Sequence, residues 1–124
     1  VLNADEPQVA DLARLCDGAV ILYSADADNP LVAAHRAHEQ GRAVLVKGGN
    51  VVLATGAAEK SLGAVSRLAF AQGASTPPVA TLLAAMGAAW ALDIAPDLIA
   101  AGIKTFEPEL PSIATSPRTV TLPL

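Results

Sequence analysis

The chain has 124 residues and a formal net charge of -4, with eight basic side chains scattered along it. That distribution argues against nucleic acid, because phosphate binding requires clustered Lys and Arg. It is 52% hydrophobic but only 3% aromatic, so one domain with a core of Leu, Val, Ile and Ala is expected.

Val1-Leu2 reads as the end of a strand, and Asn3 to Pro7 as a turn with Pro7 in the first turn of a helix. Val9, Leu12, Ala13 and Cys16 follow at helical spacing, which predicts a buried structural thiol at Cys16. As the sole cysteine, Cys16 has no intrachain partner, and this cysteine usage points to a reducing compartment. Ala19 to Tyr23 is a buried strand, Asp26 to Pro30 a polar turn, and Leu31 to Gln40 a helix stopped by Gly41. Arg42–Lys47 and Val51–Thr55 flank Gly48-Gly49-Asn50 as a hairpin.

The first half therefore reads β-α-β-α-β-β, an α/β fold: a Rossmann-like partial parallel sheet with flanking helices and an antiparallel hairpin. Ser61 to Ala69 reads as a short helix, followed by helices over Val79–Leu92 and Pro96–Thr105. Four prolines after Phe106 forbid a regular helix, dividing the chain into a domain over 1–106 and a linker or tail over 107–124. No apolar run reaches the length of a membrane span, so no membrane partner is expected and the location is read as cytoplasmic.

Three groups of residues are candidates for chemistry. Thr55-Gly56-Ala57-Ala58-Glu59-Lys60-Ser61 has the outline of a phosphate loop. Glu59 stands where such a loop needs Gly, and its carboxylate repels phosphate, so a surface turn is the better reading. His35 and His38 share a helix, but zinc requires further ligands and the spacing recruits none, so no metal is assigned. No Ser lies in a nucleophile-elbow context, and no catalytic residue is assigned. Asn3 and Asp5 follow a strand at its carboxyl end, where open α/β sheets bind ligands, and are taken as active-site-edge, cofactor-binding candidates. The competing structural role is that Asp5 caps the following helix.

The segments "VLNADEPQVADLARLCDGAVILYS", "NPLVAAHRAHEQGRAVLVKGGNVVLATGA" and "AAMGAAWALDIAPDLIAAGIKTFEPEL" together resemble the Mur-ligase-like domain of cyanophycin synthetases, in the later part of its central lobe. The resemblance reaches about Leu110. It implies an ATP- and magnesium-dependent amide ligase that adds arginine to an aspartate side chain through an acyl phosphate. It also implies that the ATP-holding P-loop lies upstream of Asn3 and a C-terminal lobe lies beyond the tail, both outside this chain. Family members carry His-Asn, and a second Asn three residues on, where "TPPVATLLAAMGAAWALD" opens its helix. Those side chains contact adenine. Here the positions hold Pro77, Pro78 and Thr81, while Ala84, Ala88, Ala91, Leu83 and Trp90 are expected to pack the core. Asp93 stands where the family has Gly, and Ser116 to Arg118 only faintly echoes the family's Asn-Pro-Gly-Arg element. The expectation is a fragment or degenerate homologue of the ligase, with a first residue other than Met fitting a fragment. It would have no catalysis of its own, no ATP or magnesium bound by this chain alone, and the rest of the ligase or a partner domain as its partner. An incomplete sheet would also favour homo-oligomers. The alternative is a non-catalytic α/β binding or scaffold module packed against a partner domain.

Overall fold

The computed structural model describes residues 1–65 and 79–105 of the chain. In chain order they form β1 (Leu2–Asn3), α1 (Pro7–Ala10) running into a 3-10 turn at Asp11–Leu15, β2 (Ile21–Ser24), α2 (Pro30–Arg36), β3 (Arg42–Lys47), β4 (Asn50–Thr55), β5 (Ala58–Ala64), α3 (Val79–Ala91) and α4 (Pro96–Thr105). The five strands make one sheet in the order β1-β2-β3-β4-β5. β1, β2 and β3 are parallel, and β3, β4 and β5 form an antiparallel meander. The α/β fold with a hairpin on a parallel sheet is thus present, with a second hairpin added.

Alternation along the strands assigns the two faces. Ile21, Val44, Val51, Leu53 and Leu62 point to one side, where Leu82, Leu83 and Met86 of α3 and Ile99 of α4 cover them. Leu22, Ala43, Leu45 and Ala54 point to the other, under Val32 of α2. β3 is buried on both faces, which explains why Ala43 to Val46 is uninterrupted apolar sequence. Completely burying one such Leu or Val contributes roughly 1.5–3 kcal/mol. The α2 side relies on alanines and one short helix, so most of the large apolar side chains lie on the α3 side.

Three expectations are corrected. Ser61 to Ala64 is not helical: it belongs to β5, which pairs with β4 through a register shift at Val51/Val52, and residues 66–69 lie outside the described part. The segment has little intrinsic β preference; Leu62, buried in the core, and the exposed backbone of β4 decide the outcome. Cys16 is exposed, not buried. The helix tightens to 3-10 geometry from Asp11, so side chains three apart eclipse and the predicted α-helical stripe dissolves, leaving Leu12 and Leu15 in solvent. In α3, Leu82, Leu83, Met86 and Gly87 are buried, whereas Ala88 and Ala91 face outward. Trp90 is half-buried, with the Arg42 guanidinium 4.9 Å from its ring centre.

α2 ends at Arg36, earlier than expected. Gly41 is required by close approach: a Cβ there would sit 2.0 Å from the His35 carbonyl oxygen. Pro77, Pro78 and the expected tail from Glu107 lie outside the described residues. Among the described residues no helix is long and apolar enough to cross a membrane.

The end of α3 explains Asp93. The Asp93 N–H donates to Trp90 O at 3.0 Å and the Ile94 N–H donates to Ala89 O at 3.2 Å. These two bonds are those of a Schellman stop, which places the residue after the cap in the left-handed region. Asp93 has φ 65, the sole positive φ among the described non-glycine residues. Its carboxylate also adds negative charge to the negative end of the helix. Asp93→Gly relieves both costs and is expected to stabilise the fold by about 0.5–1 kcal/mol, raising Tm by roughly 2–6 °C. An unchanged or lower Tm in a thermal melt would show that Asp93 makes a compensating contact.

Candidate functional site

The carboxyl ends of β1 and β2 lie side by side because the strands are parallel, with Leu2 opposite Leu22 and Asn3 opposite Tyr23. The chain leaving β1 turns at once: the Asn3 side-chain oxygen accepts the Asp5 N–H at 2.9 Å, an Asx turn that aims the Asp5 carboxylate toward the neighbouring loop. There Asp5 Oδ1 accepts the Ser24 hydroxyl at 2.6 Å and the Asn29 amide at 3.0 Å, and Oδ2 accepts the Ala25 N–H at 2.9 Å.

Ser24 is completely buried at the end of β2. Its oxygen accepts the Asp26 N–H at 2.9 Å and lies 2.9 Å from the Asp26 carbonyl. One hydroxyl has one proton, and the shorter contact to the charged carboxylate takes it. Asn29 is also buried and works in both directions. Its amide donates to Ala4 O at 3.0 Å, and its oxygen accepts the Leu31 N–H at 2.8 Å and the Val32 N–H at 3.3 Å, capping α2 ahead of Pro30.

Asp5 therefore does not cap α1. The cap position there is Glu6, which makes no side-chain capping bond. The structure brings Asn3 and Asp5 together at the expected edge but turns Asp5 inward, to Ser24 and Asn29. Neither partner stands out in the sequence as a site residue. The Asn29-Pro30 pair is a legible capping signal, whereas a Ser nineteen positions from its carboxylate carries none.

A carboxylate has about four lone-pair positions, and three of those on Asp5 are filled from within the chain. Partial burial raises its pKa, but the bonds from Ser24, Ala25 and Asn29 outweigh this and hold it below the ordinary value of 3.8. An open hollow lies alongside, lined by Asp5 to Val9.

The phosphate-loop outline at Thr55 to Ser61 folds as a hairpin. Gly56, with φ 57, and Ala57 form the turn, and Glu59, Lys60 and Ser61 are in β5. Glu59 is held by Arg36 at 2.9 Å and Lys47 at 2.9 Å, and these bonds lower its pKa. Lys60 pairs with Asp97 at 2.7 Å. Arg36 also donates from Nε to Gly56 O at 2.8 Å, so the turn is fastened to α2. His35 Nε2 lies 3.0 Å from the Val20 carbonyl and carries the proton donated to it, while His38 is exposed. Among the described residues no three His, Cys, Asp or Glu side chains are grouped to share a metal ion.

No protein-family profile matches the chain. It is similar to the cyanophycin synthetase of Geminocystis herdmanii (strain PCC 6308), with 30% identity over 109 residues. The matched region is 87% of this chain and 12% of that protein, so the chain spans about an eighth of its relative's length. This likeness supports a relationship to cyanophycin synthetase without singling out one of its domains.

Removing the Asp5 carboxylate tests the network. Asp5→Ala is expected to cost about 1–2 kcal/mol, less than a buried salt bridge because Ser24 can turn to the Asp26 carbonyl. The sign with pH comes from the lowered pKa. The contribution is complete above the ordinary aspartate value and is lost as pH falls through the lower folded value. The Tm difference between wild type and Asp5→Ala is therefore large at pH 7 and shrinks below about pH 4. A difference constant with pH would mean that the effect is packing, not charge.

Proposed function

We propose that this chain is a piece, or a degenerate homologue, of a cyanophycin synthetase-like ATP-dependent amide ligase and is not catalytic by itself. The observation that carries the reading is the match itself, which runs through 87% of this chain yet occupies 12% of a ligase. The α/β sheet with parallel strands ending at Asn3 and Ser24 is compatible with a nucleotide-using enzyme, since such sheets gather ligands at their carboxyl ends.

In this reading the chain supplies a wall and the remainder of the ligase supplies the chemistry. Asn3 and Asp5 line the edge of the site. Asp5 keeps the β1 and β2 loops together and is itself exposed. ATP and magnesium are held mainly by residues outside this chain. Pro77 and Pro78 fit this division of labour, because proline has neither a polar side chain nor a backbone N–H with which to meet adenine. The site would work in the cytoplasm, where ATP is supplied.

The second reading is a non-catalytic module that packs against a partner domain. The exposed Leu92, Ile94 and Leu98 favour it. Nucleotide binding separates a complete ATP site from both readings. A ligand at one hundred times its Kd stabilises a protein by about 2.7 kcal/mol, a rise of roughly 10 °C for a domain of this size. Millimolar magnesium-ATP is expected to leave the Tm of this chain unchanged. A reproducible rise of several degrees would overturn the claim that the nucleotide is held elsewhere.

A further inference from the structure

α2 carries little stability of its own. Seven residues are too few to persist as a helix in water, and of these Val32 alone is buried. Its ends are held instead by polar groups from separate parts of the chain. At the start, the Asn29 oxygen accepts the Leu31 and Val32 N–H groups, while the Asn29 amide donates to Asp5 Oδ1 and to Ala4 O. At the finish, Arg36 donates to Gly56 O at 2.8 Å and to Glu59 at 2.9 Å, and Lys47 holds the same carboxylate at 2.9 Å. His35 adds its bond to the Val20 carbonyl at this end.

We propose that α2 is a coupling strap, forming and melting as one unit, through which the ion-pair clasp on the β4–β5 hairpin sets how firmly Asn29 holds Asp5. Helix nucleation is costly, so a helix of about two turns has no stable half-formed state and its two ends share one equilibrium. A seven-residue helix is about 10 Å long, and loosening Arg36 at one end therefore weakens the Asn29 cap at the other. When α2 melts, Asn29 leaves Asp5, which loses one of its three donors, and leaves Ala4 O.

The clasp is placed to respond to its surroundings. Its Lys47 and Glu59 side chains are 55% and 29% exposed, so salt or a charged neighbour reaches them. Arg36 is 18% exposed and binds both the carboxylate and the Gly56 carbonyl, so it is the member that ties the clasp to α2. The opposite end of the strap is the sheet edge where Asn3 and Asp5 lie. That a loosened Asp5 bears on ligation rests on the reading of this edge as part of a ligase site; the coupling itself does not.

The test is native-state amide hydrogen exchange, followed by NMR on the whole chain without nucleotide, so its outcome is separate from that of the ligase reading. Arg36→Met keeps an aliphatic stem and removes the clasp. Exchange of the Leu31 and Val32 amides, at the far end of α2, is expected to quicken about tenfold, in step with Ala37 and His38. Val44 and Leu45 of β3 are expected to change little. Glu59→Gln leaves an acceptor and removes the charge; it is expected to quicken the same amides about threefold and serves where Arg36→Met is too disruptive. Quickening confined to Ala37 and His38, or none at Leu31 and Val32, would overturn the proposal, because the two ends would then open separately. Equal quickening in β3 would overturn it too, since α2 would then open only with the whole domain.

Discussion

The carboxylate of Asp5 holds the parallel half of the sheet in register with its loops. It takes a hydroxyl from Ser24, an amide from Asn29 and a backbone N–H from Ala25, while Asn29 reaches back to the Ala4 carbonyl. Hydrogen bonds to an ionised acceptor are about twice as strong as neutral ones, and these join parts of the chain some twenty residues apart. β1 is only two residues long and cannot hold its own position by pairing alone. The Asn3 turn directs Asp5, Asp5 directs Ser24 and Asn29, and Asn29 starts α2 in the place where Val32 closes the second face.

The far end of α2 is fastened as well. Arg36 binds the Gly56 carbonyl and Glu59, which also holds Lys47. A seven-residue helix does not persist in water on its own, and α2 buries only Val32. Its stability comes from polar anchors at both ends. Contacts within the chain also engage the charged residues of the candidate segments: Glu59 neutralises two cations, Lys60 pairs with Asp97, and Asp5 is engaged by three donors. Among the described residues, Asp5, Arg36, Lys47, Glu59, Lys60 and Asp97 tie separate elements of the chain together.

The legible parts of the sequence were those where local pattern and tertiary demand agree. β3 is buried on both faces and shows as an apolar run; Gly48-Gly49 marks its turn; Pro96, Asp97 and the periodic residues after them mark α4. β5 was not legible, because its residues favour no strand and the pairing edge that organises them belongs to β4. The exposure of Cys16 was hidden by a switch from α to 3-10 geometry that apolar spacing cannot signal. At the candidate site, the position of Asn3 and Asp5 at a strand's carboxyl end could be read, since it follows from element order. Which groups the Asp5 carboxylate would meet could not, since Ser24 and Asn29 reach it only through the pairing of β1 with β2. The substitution of Asp for the expected Gly at position 93 was visible, and the left-handed backbone there explains why Gly suits that position.

Membership of these residues in a much larger ligase-like protein is the claim on which the functional reading depends. The direct measurement is the mass of the native gene product in the source cells, read on a denaturing blot with an antibody raised against this chain. A share in a larger ligase predicts a band several times larger than 12.5 kDa. A single band at 12.5 kDa would contradict it and leave a free-standing α/β module whose partner must be sought.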